Sequence, residues 1–207
     1  MLRNYEDKLI RNYEDKAKKP FFILASGPSL TRSDVEAIKG KGTVIAINDN
    51  YKMAPWAQYL YFCDPKWFNW HKDDPEFQHF KGEIYTQDEA TAKENHFTYI
   101  KSAPGEGLST DPSVIYQGSN SGFQAINLAY HLGASKIILL GYDMQQTGGS
   151  AHWFGDHPDK VRSSYHCWTK YYERLAEDAK AKGLHIVNCT RETALGCFER
   201  KPLEDVL

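Results

Sequence analysis

The sequence lacks the features that would commit it to a membrane, a disulfide framework or a polyanion. No apolar run approaches the roughly 20 residues that span a bilayer, and no signal-peptide pattern is recognised, so a cytoplasmic protein without a membrane span is expected. Neither sign of charge is in excess: 25 Lys and Arg stand against 27 Asp and Glu, a formal net charge of -2, which gives no global basic field for tight nonspecific binding of nucleic acid. Cysteine is scarce. Cys63, Cys167, Cys189 and Cys197 show no Cys-x-x-Cys or other metal-ligand spacing, which reads as reduced thiols. No Pro/Gly/Ser-rich linker divides the chain, and 41% hydrophobic content over 207 residues is enough for one substantial core, so a single domain is expected.

The chain opens on a charged leader, residues 1–19, in which Arg3-Asn4-Tyr5-Glu6-Asp7-Lys8 recurs as Arg11-Asn12-Tyr13-Glu14-Asp15-Lys16. From Pro20 short apolar runs alternate with amphipathic stretches, the pattern of βαβ units. Strands are predicted at 21–25, 43–47, 59–63, 83–85, 97–100, 136–140 and 185–188, and helices at 33–38 and 121–132, the second stopping at Gly133. Val161, Tyr165, Trp168, Tyr172, Leu175 and Ala179 step by four and three along one apolar face of a last helix. The stretch from about 66 to 112 is polar and poorly periodic, and short elements with a mobile loop or lid are expected there. The expected fold is therefore α/β: one Rossmann-like domain over residues 20–207, with a mainly parallel twisted sheet, helices on both faces and a small lid.

In such sheets ligands bind beyond the carboxyl ends of the strands. The residues to inspect are Ser26-Gly27-Pro28-Ser29, Asn48-Asp49-Asn50, Asp64, Ser119-Asn120-Ser121-Gly122 and Gly141-Tyr142-Asp143. Each could serve as a turn or a helix cap; together they read as a nucleotide pocket. The first turn lacks the Gly-Lys-Ser/Thr of a Walker loop and the second and third glycines of the dinucleotide fingerprint, but Gly27-Pro28-Ser29 still makes a tight turn whose amides and hydroxyl suit a phosphate. Downstream, 148–158 is rich in glycine and aromatics and carries two histidines. A neutral imidazole is suited to taking a proton from a hydroxyl near pH 7, which makes His157 the first candidate general base and His152 the second. His152, Asp156, His157 and Asp143 include ligand types for a divalent ion, but their spacing matches no zinc signature and no metal is assigned. His71, His79, His96, His131 and His185 have no motif context and read as structural.

Taken in order, Ala25-Ser26-Gly27-Pro28-Ser29-Leu30, Asn48, Asn120-Ser121-Gly122 and Leu140-Gly141-Tyr142-Asp143 resemble the small bacterial sialyltransferases of glycosyltransferase family 42. They resemble equally the related MptE-like 6-hydroxymethylpterin pyrophosphokinases. The sialyltransferase resemblance, over about 20–198, implies metal-independent transfer from a CMP-activated sugar with a histidine base and no required cofactor. It implies that Gly27, Pro28 and Ser29 line the nucleotide phosphate, that Asn48 hydrogen-bonds the donor, and that Ser121 and Gly122 hold its sugar or nucleotide. The family's two tyrosines after the Gly-x-Asp strand fall on Gln145 and Ala151, and counting back from the last strand places its histidine on His166.

Three functions follow as expectations. The first is a nucleotide-sugar-dependent glycosyltransferase acting on a glycan or other hydroxyl acceptor, favoured over glycoside hydrolysis because no carboxylate pair is apparent. The second is diphosphate transfer from ATP, with Mg²⁺ held by Asp64 and Asp143. The third is a nonenzymatic nucleotide-binding module. The chain's small size also suggests a homo-oligomer that completes the site.

Overall fold

The computed structural model describes residues 19–159 and 164–207. The duplicated hexapeptides, and Val161 at the head of the expected last helix, lie outside the described residues. In chain order the elements are β1 (Phe21–Leu24), α1 (Arg32–Ala37), β2 (Thr43–Ile47), β3 (Tyr59–Phe62), α2 (Pro65–His71), α3 (Pro75–Gln78), β4 (Glu83–Thr86), α4 (Glu89–Asn95), β5 (Thr98–Tyr99), β6 (Lys101–Ala103), β7 (Val114–Tyr116), α5 (Ser121–His131), β8 (Lys136–Leu140), α6 (Tyr165–Ala181), β9 (His185–Asn188) and β10 (Glu199–Arg200). A 3₁₀ turn, Asn48–Tyr51, follows β2 directly.

Eight strands form one sheet in the order β10-β9-β8-β1-β2-β3-β4-β5, every neighbouring pair parallel. β6 and β7 pair in a separate two-stranded sheet. Beyond Thr43 and Lys136 at the starts of β2 and β8, the central strands are apolar because parallel strands are covered on both faces. Alternate residues sort onto two cores. Phe22, Leu24, Val44, Ala46, Leu60, Phe62, Ile138 and Leu140 meet Val35 of α1 and the aromatic residues Trp67, Phe68, Phe77 and Phe80 on one face. Phe21, Ile23, Ile45, Ile47, Tyr61, Ile137 and Leu139 meet α5 and α6 through Phe123, Ile126, Tyr172 and Leu175 on the other. This is a single Rossmann-like α/β domain, and no helix among the described residues is long and apolar enough to cross a membrane.

Helix boundaries follow local chemistry. Thr31 and Asp34 close a capping box on α1. Asp64 and Asp74 each cap a short helix whose first residue is proline, Pro65 and Pro75, where the missing N–H is not needed. α5 starts on Asn120 and stops before Gly133, whose φ of 91° continues no helix. The stretch 66–112 supplies most of α2, all of α3 and α4, and β4 and β5 of the main sheet, with Trp67, Phe68, Phe77 and Phe80 buried. β6, β7 and β10 were not among the predicted strands. They are two or three residues long, too short for alternation to show.

Candidate active site

β1 has β2 on one side and β8 on the other, so the strand order runs away from it in both directions. That is a topological switch point, where the loops leaving adjacent strands diverge and open a crevice. A cavity of about 290 Å³ lies there, and all five polar clusters singled out in the sequence contribute to it: Ser26 and Gly27, Asn48, Asp64, Ser119 to Gly122, and Gly141 to Asp143.

Two expected phosphate ligands are placed differently. Pro28 and Ser29 are not among the cavity-lining residues. The Ser29 N–H and hydroxyl donate to the two carboxylate oxygens of Asp143 at 3.0 and 2.8 Å, and Thr147 Oγ1 donates to Asp143 at 2.8 Å. Asp143 is buried, so this junction ties the loop after β1 to the loop after β8 and keeps both oxygens engaged. Gly27 sits against it: a Cβ at that position would overlap Asp143 Oδ1 and the carbonyl of Gly141.

The helix N-terminus at the cavity is held from behind. Asn120 Oδ1 accepts the Phe123 N–H at 2.9 Å and the hydroxyl of buried Tyr172 at 2.7 Å, while Tyr142 donates to the Gly122 carbonyl at 3.0 Å. Tyr172→Phe is therefore expected to cost about 0.5–1.5 kcal/mol in chemical denaturation, the worth of one buried hydrogen bond. Among the described residues, three of the four non-glycine residues with left-handed backbone, Asn48, Ser119 and Met144, line this cavity. The fourth, His96, ends a helix. Strained backbone of this kind costs of order 1–3 kcal/mol per residue and concentrates at functional sites.

His152 and His157 line the cavity; His166 is exposed on α6, near the Cys167 thiol at 3.2 Å and outside the lining. The His152 and His157 rings lie 4.8 Å apart between centroids, with Phe154 stacked on His152 and Trp70 5.5 Å from His157. Their segment is pinned by Trp153, whose backbone N–H donates to Ser26 O and whose indole donates to Asn50 Oδ1. Burial pushes His152 down to about 4; it also lowers His157, against the opposing pull of Asp49, Asp156 and Asp64. Both rings are thus neutral near pH 7, and neither nitrogen of either ring hydrogen-bonds a described residue.

The cavity walls are aromatic. Trp67, Trp70, Tyr165 and Trp168 all line the cavity, and no Lys or Arg does so among the described residues. Tyr165 and Trp168 occupy the apolar stripe of α6, where a helical period alone cannot separate core from cavity. Among the described residues only three buried side-chain polar atoms lack a partner, and two of them, Ser26 Oγ and Tyr165 OH, belong to cavity residues. The Mg²⁺ expectation for Asp64 and Asp143 fits poorly. Asp143 already accepts three hydrogen bonds, Asp64 Oδ1 accepts the Lys66 N–H that caps α2, and no three His, Cys, Asp or Glu side chains among the described residues are placed to hold a metal. Comparison with protein-family models, curated proteins and solved structures found no match to this chain.

Proposed function

We propose that this protein is a nucleotide-dependent glycosyltransferase. The observation that carries the reading is a pair of imidazoles, His152 and His157, that burial favours in the neutral form and that hydrogen-bond none of the described residues, at a switch-point cavity. His157 takes the proton of an acceptor hydroxyl as that oxygen bonds to the anomeric carbon of the donor. The bond from that carbon to the nucleotide phosphate breaks, and its electron pair leaves on the phosphate oxygen.

Several features support this assignment over diphosphate transfer. A donor leaving as a monophosphate brings less charge than ATP into a cavity that no Lys or Arg among the described residues lines, and the metal of a triphosphate would need carboxylates, of which Asp143 has both oxygens engaged elsewhere. Backbone amides at the start of α5, with the Ser26 and Tyr165 hydroxyls, offer donors to a phosphate without adding cations. Tyr165 would bring a phenol to the cavity where the resembled sialyltransferases have a tyrosine pair and this chain has Gln145 and Ala151. Trp67, Trp70 and Trp168 offer flat faces to a base or a sugar ring.

A thermal-shift series with CMP, CDP, UDP, GDP, ADP and ATP, each with and without magnesium, tests the reading, because a ligand of the native state raises the melting temperature. A metal-independent shift with CMP or another sugar-donor nucleotide is expected. A shift confined to ATP with magnesium would transfer the assignment to diphosphate transfer, and a shift without turnover against any acceptor would leave a nucleotide-binding module.

A further inference from the structure

A second cavity, of about 390 Å³, lies at the β10 edge of the sheet. Its lining comes from Cys189 to Arg191 after β9, from Arg200 to Glu204 at and after β10, and from Asp34 of α1. Two guanidinium groups in it are held by the fold. Asp34 Oδ2 accepts the Arg191 Nε–H at 3.0 Å and Asp34 Oδ1 accepts from Nη2 at 2.6 Å, a two-point fork. Burial pushes the Asp34 carboxyl up, but the bonds from Arg191 and Thr31 outweigh it and hold the group below the usual carboxylate range, so it stays ionised and Arg191 stays clamped. Arg200 is fixed differently, by donating from Nη2 to the carbonyls of Thr190 and Arg191 at 2.9 and 3.1 Å.

A guanidinium carries five N–H donors in one plane. Arg191 uses two on Asp34 and Arg200 two on the carbonyls, so each keeps three that bond no described residue. Fixing two long side chains this way lowers the ordering cost of binding and leaves forks suited to an oxyanion. Charge points the same way. Three cations of the lining, Arg191, Arg200 and Lys201, stand against two carboxylates, Asp34 and Glu204. Asp34 answers Arg191, and Glu199, outside the lining, lies 2.8 Å from Lys201 and 2.9 Å from His185. Among the described residues Arg200 has no carboxylate within 4.0 Å, and Glu204 has no cation. The rest of the wall is uncharged: Cys189 is buried, burial pushes its thiol up to about 11, and Pro202 and Leu203 add apolar surface.

We propose that this second cavity binds a small organic oxyanion, a carboxylate or a phosphate monoester. The free edges of Arg191 and Arg200 and the Lys201 ammonium take the anionic group, and Cys189, Pro202 and Leu203 meet the carbon skeleton. The cavity is built on segments that also form the switch-point cavity. Thr190 Oγ1 accepts the N–H of Tyr142 at 2.9 Å, and Tyr142 lines the first cavity, while α1 follows the loop in which Ser29 binds Asp143. The proposal rests on no step of the transfer reaction.

The test is an amide NMR titration of the full chain with benzoate, phenyl phosphate and neutral benzamide. The anions are expected to give saturable shifts centred on residues 189–191 and 200–204 and weakened by added salt, and benzamide none. Whichever anion binds more tightly tells carboxylate from phosphate recognition. Arg200→Gln is expected to weaken that anion at least about tenfold, the worth of one charge-assisted hydrogen bond. Glu204→Gln, a second route should Arg200→Gln fail to fold, removes an exposed carboxylate without an ion-pair partner and is expected to tighten binding. The proposal is overturned by the absence of saturable shifts, by shifts centred on the first cavity, by equal shifts from benzamide, or by an affinity that the folded variants leave unchanged. Because the readout is binding at the second cavity, failure here leaves the transfer reaction to be judged by nucleotide binding and turnover.

Discussion

Replacing His157 with alanine is expected to lower turnover by about 10²–10⁴-fold, the range for losing a positioned general base, while nucleotide affinity stays close to wild type. The two effects separate because the imidazole hydrogen-bonds none of the described residues and makes ring contacts with Trp70, His152 and Phe154. His166→Ala, on the exposed side of α6, should leave turnover unchanged, and the pair of variants separates a base at His157 from one at His166. The pH profile gives a second check. Burial lowers His157 from its ordinary 6.5, so the free enzyme keeps a deprotonated base into mildly acidic solution, and the acid limb of kcat/KM is expected below pH 6.5. An acid limb at or above that value, or full turnover in His157→Ala, would remove His157 from the role.

The other large effect is expected at the junction beneath the cavity. Asp143→Ala strands the buried N–H and hydroxyl of Ser29, and at about 1–3 kcal/mol for each stranded donor the loss is about 2–6 kcal/mol. A domain whose whole stability is about 5–15 kcal/mol feels that as a large drop in the urea midpoint. Gly27→Ala attacks the same place by crowding, because the new methyl would overlap Asp143 Oδ1 and a backbone carbonyl that has no freedom to withdraw. Both substitutions disturb one junction, so their effects should fall well short of adding. Additive losses would show that Gly27 and Asp143 act independently. Ser29 was expected at a phosphate; its hydroxyl is instead part of this internal tie, so Ser29→Ala should read out in stability before it reads out in ligand affinity.

How far the sequence could be read depended on how the information is stored. The runs at 43–47, 136–140 and 185–188 match β2, β8 and β9 residue for residue, because the interiors of strands covered on both faces are apolar: 44–47, 137–140 and 186–187. The convergence of the strand exits followed from one topological rule. Elsewhere the signal was present and went unused: Asp64-Pro65 and Asp74-Pro75 are cap-and-first-turn pairs that announce α2 and α3 in a stretch read only as short elements with a mobile loop or lid. Other features depend on packing alone. Tyr165, Trp168, Tyr172 and Leu175 share one helical stripe, yet the first two face a cavity and the last two a core, and only the position of α6 against the sheet divides them. The pairing of Arg191 with Asp34 is likewise invisible in one dimension, since nothing in the spacing of 157 residues places their side chains 2.6 Å apart.

The position of β1 in the sheet also bears on how the chain is made. One flank of β1 pairs with β2, which follows it closely, but the other pairs with β8, and Phe21 meets Ile137 116 positions later. At about 5–20 residues per second, a ribosome needs roughly 6–23 s after releasing β1 to deliver that partner. Through that interval the nascent chain carries an open apolar edge at its most central strand. Asp143 and Ser29, which close the two halves, cannot meet before it ends. Synthesis of this protein therefore includes an aggregation-exposed window set by its topology, which a holdase would shorten in effect and a slow codon run before β8 would lengthen.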